Sequence, residues 1–372
     1  MNYIKKIIKN IVWRVFPHNY IVFESVPDVG DNSKAVFDEM IRRGINKKYK
    51  LVWLLSEKKK NYPNIHNVIY AEKGDEKSKW YITRAKCFIC CNAFVYTDNP
   101  EQKSFFLTHG MYVKCPTAYY TLPKQISYCL SSSKQMEMVQ AKALKVDMEK
   151  MISLGFPRND VFSKPGVNLK KIWNEKIEKI IVWYPTFRQH NSGMKTGSNY
   201  SVPIIWKEEA AIQLNECARK NRVLIVLKPH FAQDLSVIKQ LKLSNIKIIN
   251  DMFFIENNIT SYQFLNSCDA LITDYSSVYF DYTLCNKPIG LIWEDYEEYK
   301  KNPGFALDME YYMKGGVKIY TLDDFKKFVK DVACDNDVLK KEREEIRDIS
   351  NYSTDGKSSE RVTNFIIEKA NL

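Results

Sequence analysis

The chain has 372 residues, with 56 basic side chains against 44 acidic ones and a formal charge of +12. Its 45% hydrophobic and 13% aromatic residues are ample for a large core, and 27% charged residues exclude a disordered polymer. That length suits two domains, and the positive balance favours an anionic partner: a nucleotide, a phospholipid surface or nucleic acid.

The opening segment, MNYIKKIIKNIVWRVF, puts Ile4, Ile7, Ile8, Ile11, Val12 and Val15 on one helical face. Lys5, Lys6, Lys9 and Arg14 lie opposite, with Trp13 and Phe16 before Pro17. A helix of about 15 residues covers roughly 22 Å, short of the ~30 Å hydrocarbon core of a bilayer. The interleaved lysines also exclude a spanning helix or a cleavable signal. Residues 1–17 are expected to lie in the interface of an anionic leaflet, with Lys5, Lys6, Lys9, Trp13 and Arg14 touching it. The same stripe also suits packing on the protein's own surface.

From Tyr20 strands and helices alternate. Strands are predicted over 20–26, 50–55, 67–71, 87–91, 104–110, 126–133 and 151–156, and a helix over Ser33–Arg43 after the turn PDVGDN. A second series is predicted over 180–188, 223–230, 246–251, 270–273, 288–293 and 318–322, followed by a charged helical tail. Continuous apolar runs separated by helices indicate parallel sheets covered on both faces. The expected architecture is α/β: two Rossmann-like, doubly wound domains facing a central cleft. The expected boundaries are 1–17, 18–163, 164–345 and 346–372, the last returning to the N-terminal domain. Residues 189–203 read as a flexible flap or a disordered insertion.

The nine cysteines lie mostly in apolar runs and read as reduced thiols. Cys87-Phe88-Ile89-Cys90 has CxxC spacing but no second pair, so both cysteines read as buried strand residues. Asp335-Asn336-Asp337 reads as a solvated turn. No GxGxxG, Walker or HExxH motif occurs, and the reading needs neither a cofactor nor a structural metal.

Open α/β sheets bind ligands beyond the carboxyl ends of their strands. In the second half those ends carry Thr186 and Arg188, then Lys228 and His230, then Asp274, Ser276 and Ser277. A guanidinium, an ammonium, an imidazole and the amides of a helix start suit a diphosphate. The Asp274-Ser277 turn also suits a plain helix cap. In the first half Thr108-His109-Gly110 ends a strand, where the glycine lets the chain turn and leaves an imidazole to accept a hydroxyl proton. Lys114, four residues on, would support negative charge there.

NSKAVFDEM, LGFPRND, WYPTFR, LKPH and above all TDYSSVYFDYTLCNKP resemble the CDP-glycerol glycerophosphotransferase family, the teichoic acid primases and polymerases. The resemblance runs from about Tyr20 to the tail. It implies a GT-B-like fold and transfer of a polyol phosphate from CDP-glycerol or CDP-ribitol to a lipid-linked saccharide or growing polymer. It further implies peripheral attachment to the inner face of the cell membrane, while charge spread along helices with no recognised module argues against a nucleic-acid partner. His109 resembles the family's proposed general base, and Gly110 and Lys114 fall on the acceptor side. Arg188, His230, Ser276 and Ser277 match residues holding the donor diphosphate, His230 with a catalytic share, and Asp274 and Asp281 belong to the same motif. Thr108 stands where the family has Trp, and Met111-Tyr112 replace Thr-Pro. The rival readings are a GT-B glycosyltransferase using a nucleotide sugar, a nucleic-acid binder and an idle membrane scaffold.

Overall fold

A computed structural model describes residues 11, 13–16, 18–56, 62–114, 121–173, 176–186, 202–229, 235–302 and 304–372. The chain divides into two compact units. One comprises Met1–Met111, Ala118–Asp160 and Tyr352–Leu372, the other Tyr112–Thr117 and Val161–Asn351.

In the first unit the strands are β1 (Tyr20–Glu24), β2 (Lys50–Leu55), β3 (Val68–Glu72), β4 (Ala85–Cys90), β5 (Lys103–Phe106), β6 (Tyr128–Ser131) and β7 (Met151–Ser153). They pair in parallel in the order β3-β2-β1-β4-β5-β6-β7. All five residues of β1 are buried, as expected of a strand covered on both faces. Phe23, Phe37 and Trp53 form one aromatic knot, with ring centres 5.2 to 5.5 Å apart.

The second unit contains β8 (Lys179–Trp183), β9 (Val223–Leu227), β10 (Ile246–Ile248), β11 (Ala270–Thr273), β12 (Ile289–Ile292) and β13 (Val317–Ile319). Their order, β10-β9-β8-β11-β12-β13, is again all parallel. Each sheet is wound outwards in both directions from its first strand. Each therefore has one switch point, at β1/β4 in the first unit and at β8/β11 in the second.

Several predicted strands end early for identifiable reasons. β8 stops two residues before Pro185 and β9 two before Pro229, since proline offers no ladder donor. β5 stops at Phe106 because Thr108 has left the extended region, with φ of 57°. Cys87 and Cys90 are strand residues as expected, and burial pushes both thiols up to about 12. The predicted flap falls mostly outside the described residues.

Three further placements differ from, or add to, the sequence reading. Trp13, expected at a membrane surface, is 4% exposed and stacks on His18 with ring centres 3.4 Å apart. It packs on its own unit because the indole loses more water there than at the rim of a short helix. Of the expected solvated turn, Asp335 and Asn336 are exposed, with Asp335 holding Lys179 at 2.6 Å, whereas Asp337 is half-buried and pairs with the fully buried guanidinium of Arg343. The last helix, Ser358–Ala370, is capped from far away in sequence. Asp160 accepts the amides of Ser358 and Ser359, each at 2.8 Å, and so fixes the tail to the first unit.

That cap yields a direct test. A hydrogen bond to a charged partner contributes about 1.5–3 kcal/mol net, so Asp160→Ala should lower stability by roughly 2–4 kcal/mol. Urea unfolding should show an earlier midpoint; an unchanged midpoint would mean the cap adds nothing.

Candidate functional site

The second unit's switch point is closed by a carboxylate. Beyond the last ladder pair the Tyr184 amide still reaches the Ile272 carbonyl at 2.8 Å, and the Thr273 hydroxyl donates to the Tyr184 carbonyl at 2.7 Å. One residue further, Asp274 accepts the Thr186 amide with both oxygens, at 2.9 and 3.1 Å. Asp274 is 1% exposed, so the carboxylate is held in the wall of the crevice by backbone donors. Tyr275 turns the other way into the core: its hydroxyl donates to Asp295 at 3.0 Å and its ring lies 4.5 Å from Tyr299 and 5.3 Å from Phe305. With both neighbours fixed, Ser276 and Ser277 are left partly exposed at the turn.

The helix that follows is short, Val278–Tyr282, continued by a tight turn over Thr283–Cys285. Its dipole is correspondingly smaller than expected, and the turn's own amides and hydroxyls are its chief donors. Ser276 spends its hydroxyl oxygen on the Val278 amide at 3.4 Å. Asp281 does not join the serines: it is 2% exposed and accepts the Tyr262 hydroxyl at 2.6 Å. Its place in the motif is explained by packing between helices. Lys228 lies across the sheet with its ammonium 3.1 Å from Asp251 and 6.0 Å from the rings of Tyr184 and Phe254. Asp251 is well exposed, so the pair is screened and weak. Arg188 and His230 lie outside the described residues.

At the first unit's switch point Glu24, on the end of β1, plays the corresponding part. Fully buried, it accepts the amides of Asn92 at 3.1 Å and Ala93 at 2.9 Å from the loop after β4, and pairs with Lys73 at 2.9 Å. The helix Asp31–Arg42 starts on this clasp, with the Ser33 hydroxyl on the Glu24 carbonyl at 2.8 Å and its amide on the Cys91 sulfur at 3.2 Å.

His109 sits in the adjoining loop after β5. It lies between two left-handed residues, Thr108 at φ 57° and Gly110 at φ 133°. The glycine adopts this without cost, whereas a β-branched residue there stores about 1–3 kcal/mol. The loop keeps that shape because Asn32 donates to the carbonyls of Leu107 and Thr108, at 3.2 and 3.0 Å. Arg158 holds the His109 carbonyl at 2.8 Å and Asp31 at 2.8 Å. Burial lowers the imidazole's pKa below its usual 6.5; Asp31 pulls it up and Arg158 pushes it down. The outcome is a neutral imidazole at pH 7, able to accept a proton.

The expected site residues thus separate. Thr186, Lys228, Asp274, Ser276 and Ser277 are on the carboxyl edge of the second sheet, and His109 and Gly110 on that of the first. Lys114 belongs to the second unit, where it pairs with Phe305 across a short bridge and lies 5.5 Å from the Tyr299 ring. Arg14 is exposed beside exposed Ile11, Val15 and Phe16; Lys5, Lys6 and Lys9 lie outside the described residues. Glu24, Asn32 and Arg158 are the side chains that residue-type reasoning left out. Their only signal was position: a polar residue inside an apolar strand, and polar residues in two short motifs. Among the described residues no cluster of three or more His, Cys, Asp or Glu could hold a metal.

Two doubly wound units, each with a polar switch point, define a GT-B-like architecture. The family model of CDP-Glycerol:Poly(glycerophosphate) glycerophosphotransferase matches residues 7–368, and the chain belongs to that family of enzymes. It is 25% identical over 337 residues to the teichoic acid poly(glycerol phosphate) polymerase of Bacillus spizizenii, covering 82% of each chain. It is 24% identical to the teichoic acid glycerol-phosphate primase of Bacillus subtilis, over 90% of this chain and 88% of that one. The solved wall teichoic acid polymerase TagF superposes over 100% of this chain and 98% of its own, with a TM-score of 0.75 at 19% identity.

The lowered pKa of His109 gives a pH prediction with a definite sign. Between the folded value and 6.5 the unfolded chain binds more protons than the folded one, so this group's stabilisation is complete above 6.5 and is lost as pH falls through the folded value. An NMR titration of the imidazole should show a midpoint below 6.5, and a midpoint above it would mean Asp31 outweighs burial.

Proposed function

We propose that the protein moves a polyol phosphate, glycerol phosphate first, from a CDP-activated donor to a hydroxyl of a lipid-linked saccharide or cell-surface polymer. The observation that carries this reading is the family match over 7–368, together with a polar switch point in each sheet. In this reading the donor diphosphate lies at the second unit's switch point. Thr186, Lys228, the Asp274-Ser277 turn and, outside the described residues, Arg188 and His230 attend it.

The acceptor oxygen attacks the phosphorus bearing the polyol, and the bond from that phosphorus to the bridging oxygen breaks. CMP departs with the electron pair, while His109 takes the hydroxyl proton. Phosphoryl transfer asks a protein mainly for position and charge neutralisation, which cationic side chains and backbone amides supply. A histidine kept neutral by burial suits the proton step.

Loss of a general base costs about 10²–10⁴-fold in rate. His109→Ala should therefore bind CDP-glycerol normally and lose turnover, whereas Ser276→Ala with Ser277→Ala should raise the donor KM. Nucleotide release from a panel of CDP-glycerol, CDP-ribitol and UDP-sugars checks the donor. Turnover only with a UDP-sugar would replace this reading with glycosyl transfer.

We further propose peripheral attachment to the inner face of the membrane through residues 1–17. No helix among the described residues is long and apolar enough to cross a bilayer, and Ile11, Val15 and Phe16 are exposed beside Arg14. The protein should float with vesicles containing phosphatidylglycerol. Reversing Lys5, Lys6 and Lys9 to Glu should abolish flotation, and unaltered flotation would sink the attachment.

A further inference from the structure

The imidazole of His109 is the one group in the first unit that the reaction asks to move a proton, yet its loop has an intrinsically unfavourable backbone. Three consecutive carbonyls, those of Leu107, Thr108 and His109, are each held by a side chain from elsewhere in the unit. Asn32 supplies two of these bonds from one amide nitrogen, and its oxygen accepts the Arg158 amide at 3.0 Å. Arg158 closes the ring by holding the third carbonyl and Asp31 with the same nitrogen, at 2.8 Å each. Asn32 is fully buried, and Arg158 and Asp31 nearly so.

We infer that Asn32 and the Arg158–Asp31 ion pair are positioning residues that set the pose of His109 for proton transfer. This rests on the reading of His109 as the base. The chemistry at residue 32 is specific. The side chain must donate to two carbonyls and accept one amide at once, which asparagine does and aspartate, equal in size, does not. At residue 158 one guanidinium nitrogen donates to a carbonyl and a carboxylate together, and the group keeps its charge at every working pH.

The ion pair also sets opposing fields on the imidazole. The charged groups acting on it are Asp31 at the start of the helix, Arg158 from the turn beginning at Pro157, and Glu24 from the end of β1. Cys91, at the end of β4, faces it with a backbone group, and Glu24 is itself neutralised in part by Lys73. A role confined to holding the loop together predicts that breaking the ion pair from either side has the same effect. A positioning role in proton transfer predicts opposite effects on the pH profile.

The test uses the full chain, CDP-glycerol as donor, a lipid-linked saccharide as acceptor, and CMP release as readout. Asn32→Ala and Asn32→Asp should each lower kcat by about 10–100-fold, the scale of a small misplacement of a catalytic group, with KM for CDP-glycerol unchanged. Arg158→Gln should move the acid limb of kcat/KM to higher pH, because a repelling cation is gone. Asp31→Asn should move it to lower pH.

His109→Gln is run alongside. Full turnover in His109→Gln overturns the reading of the base itself. Loss of turnover there, with wild-type kcat in Asn32→Asp or an unmoved acid limb in both charge variants, overturns the positioning role alone. Thermal melts accompany each variant. Should either Asn32 variant fail to fold, the opposed shifts of Arg158→Gln and Asp31→Asn decide the matter, and shifts in one direction count against it.

Discussion

A buried carboxylate that accepts backbone amides across the switch point is the interaction on which each half of this protein depends. Where a doubly wound sheet reverses direction, the two central strands send their following loops apart, and the amides at the opening lose ladder partners. Asp274 meets that need in the second unit by taking the Thr186 amide, and Glu24 meets it in the first by taking those of Asn92 and Ala93. The acid comes from the fourth strand's loop in one unit and from the first strand's end in the other. Without such a clasp the crevice would open onto unsatisfied backbone, at about 1–3 kcal/mol per buried group.

The rest of each site follows from what the clasp leaves. Asp274 and Tyr275 are committed to the wall and the core, which leaves Ser276 and Ser277 partly exposed at the turn. Further along the same motif Asp281 is held by Tyr262, and Lys287 donates to the carbonyls of Asn266 and Cys268 at 2.7 and 2.8 Å. A stretch that looks like one long binding motif is therefore mostly architecture. In the first unit the same logic runs through Ser33, seated on Glu24, to Asn32 and the His109 loop. The shape of that loop is inherited from a strand end through one turn of helix.

Much of this was legible in the residues. Apolar runs located the strands because a parallel strand covered on both faces has to be hydrophobic throughout, and KLVWLL and ALIT coincide with β2 and β11. Polar residues at the run ends pointed to the carboxyl edges, and Gly110 after His109 pointed to a turn that the backbone makes. Less legible were residues whose partners are remote in sequence. Nothing local marks Asn32 as the partner of Thr108, Arg158 as that of His109, or Asp160 as the cap of a helix beginning at Ser358. Trp13 was misplaced for a related reason: an amphipathic stripe states that a face is buried, not by what.

The sequence by itself determined the fold class, the sequence positions of the two sheets and the family, because these depend on hydrophobic period and on short motifs carried intact. Tertiary structure alone decided which carboxylates serve the wall and which residues hold the His109 loop, because those depend on strand order. Only when β4 falls beside β1 and β5 beside β4 does Asn32 reach the His109 loop, and only when β11 falls beside β8 does Asp274 meet Thr186.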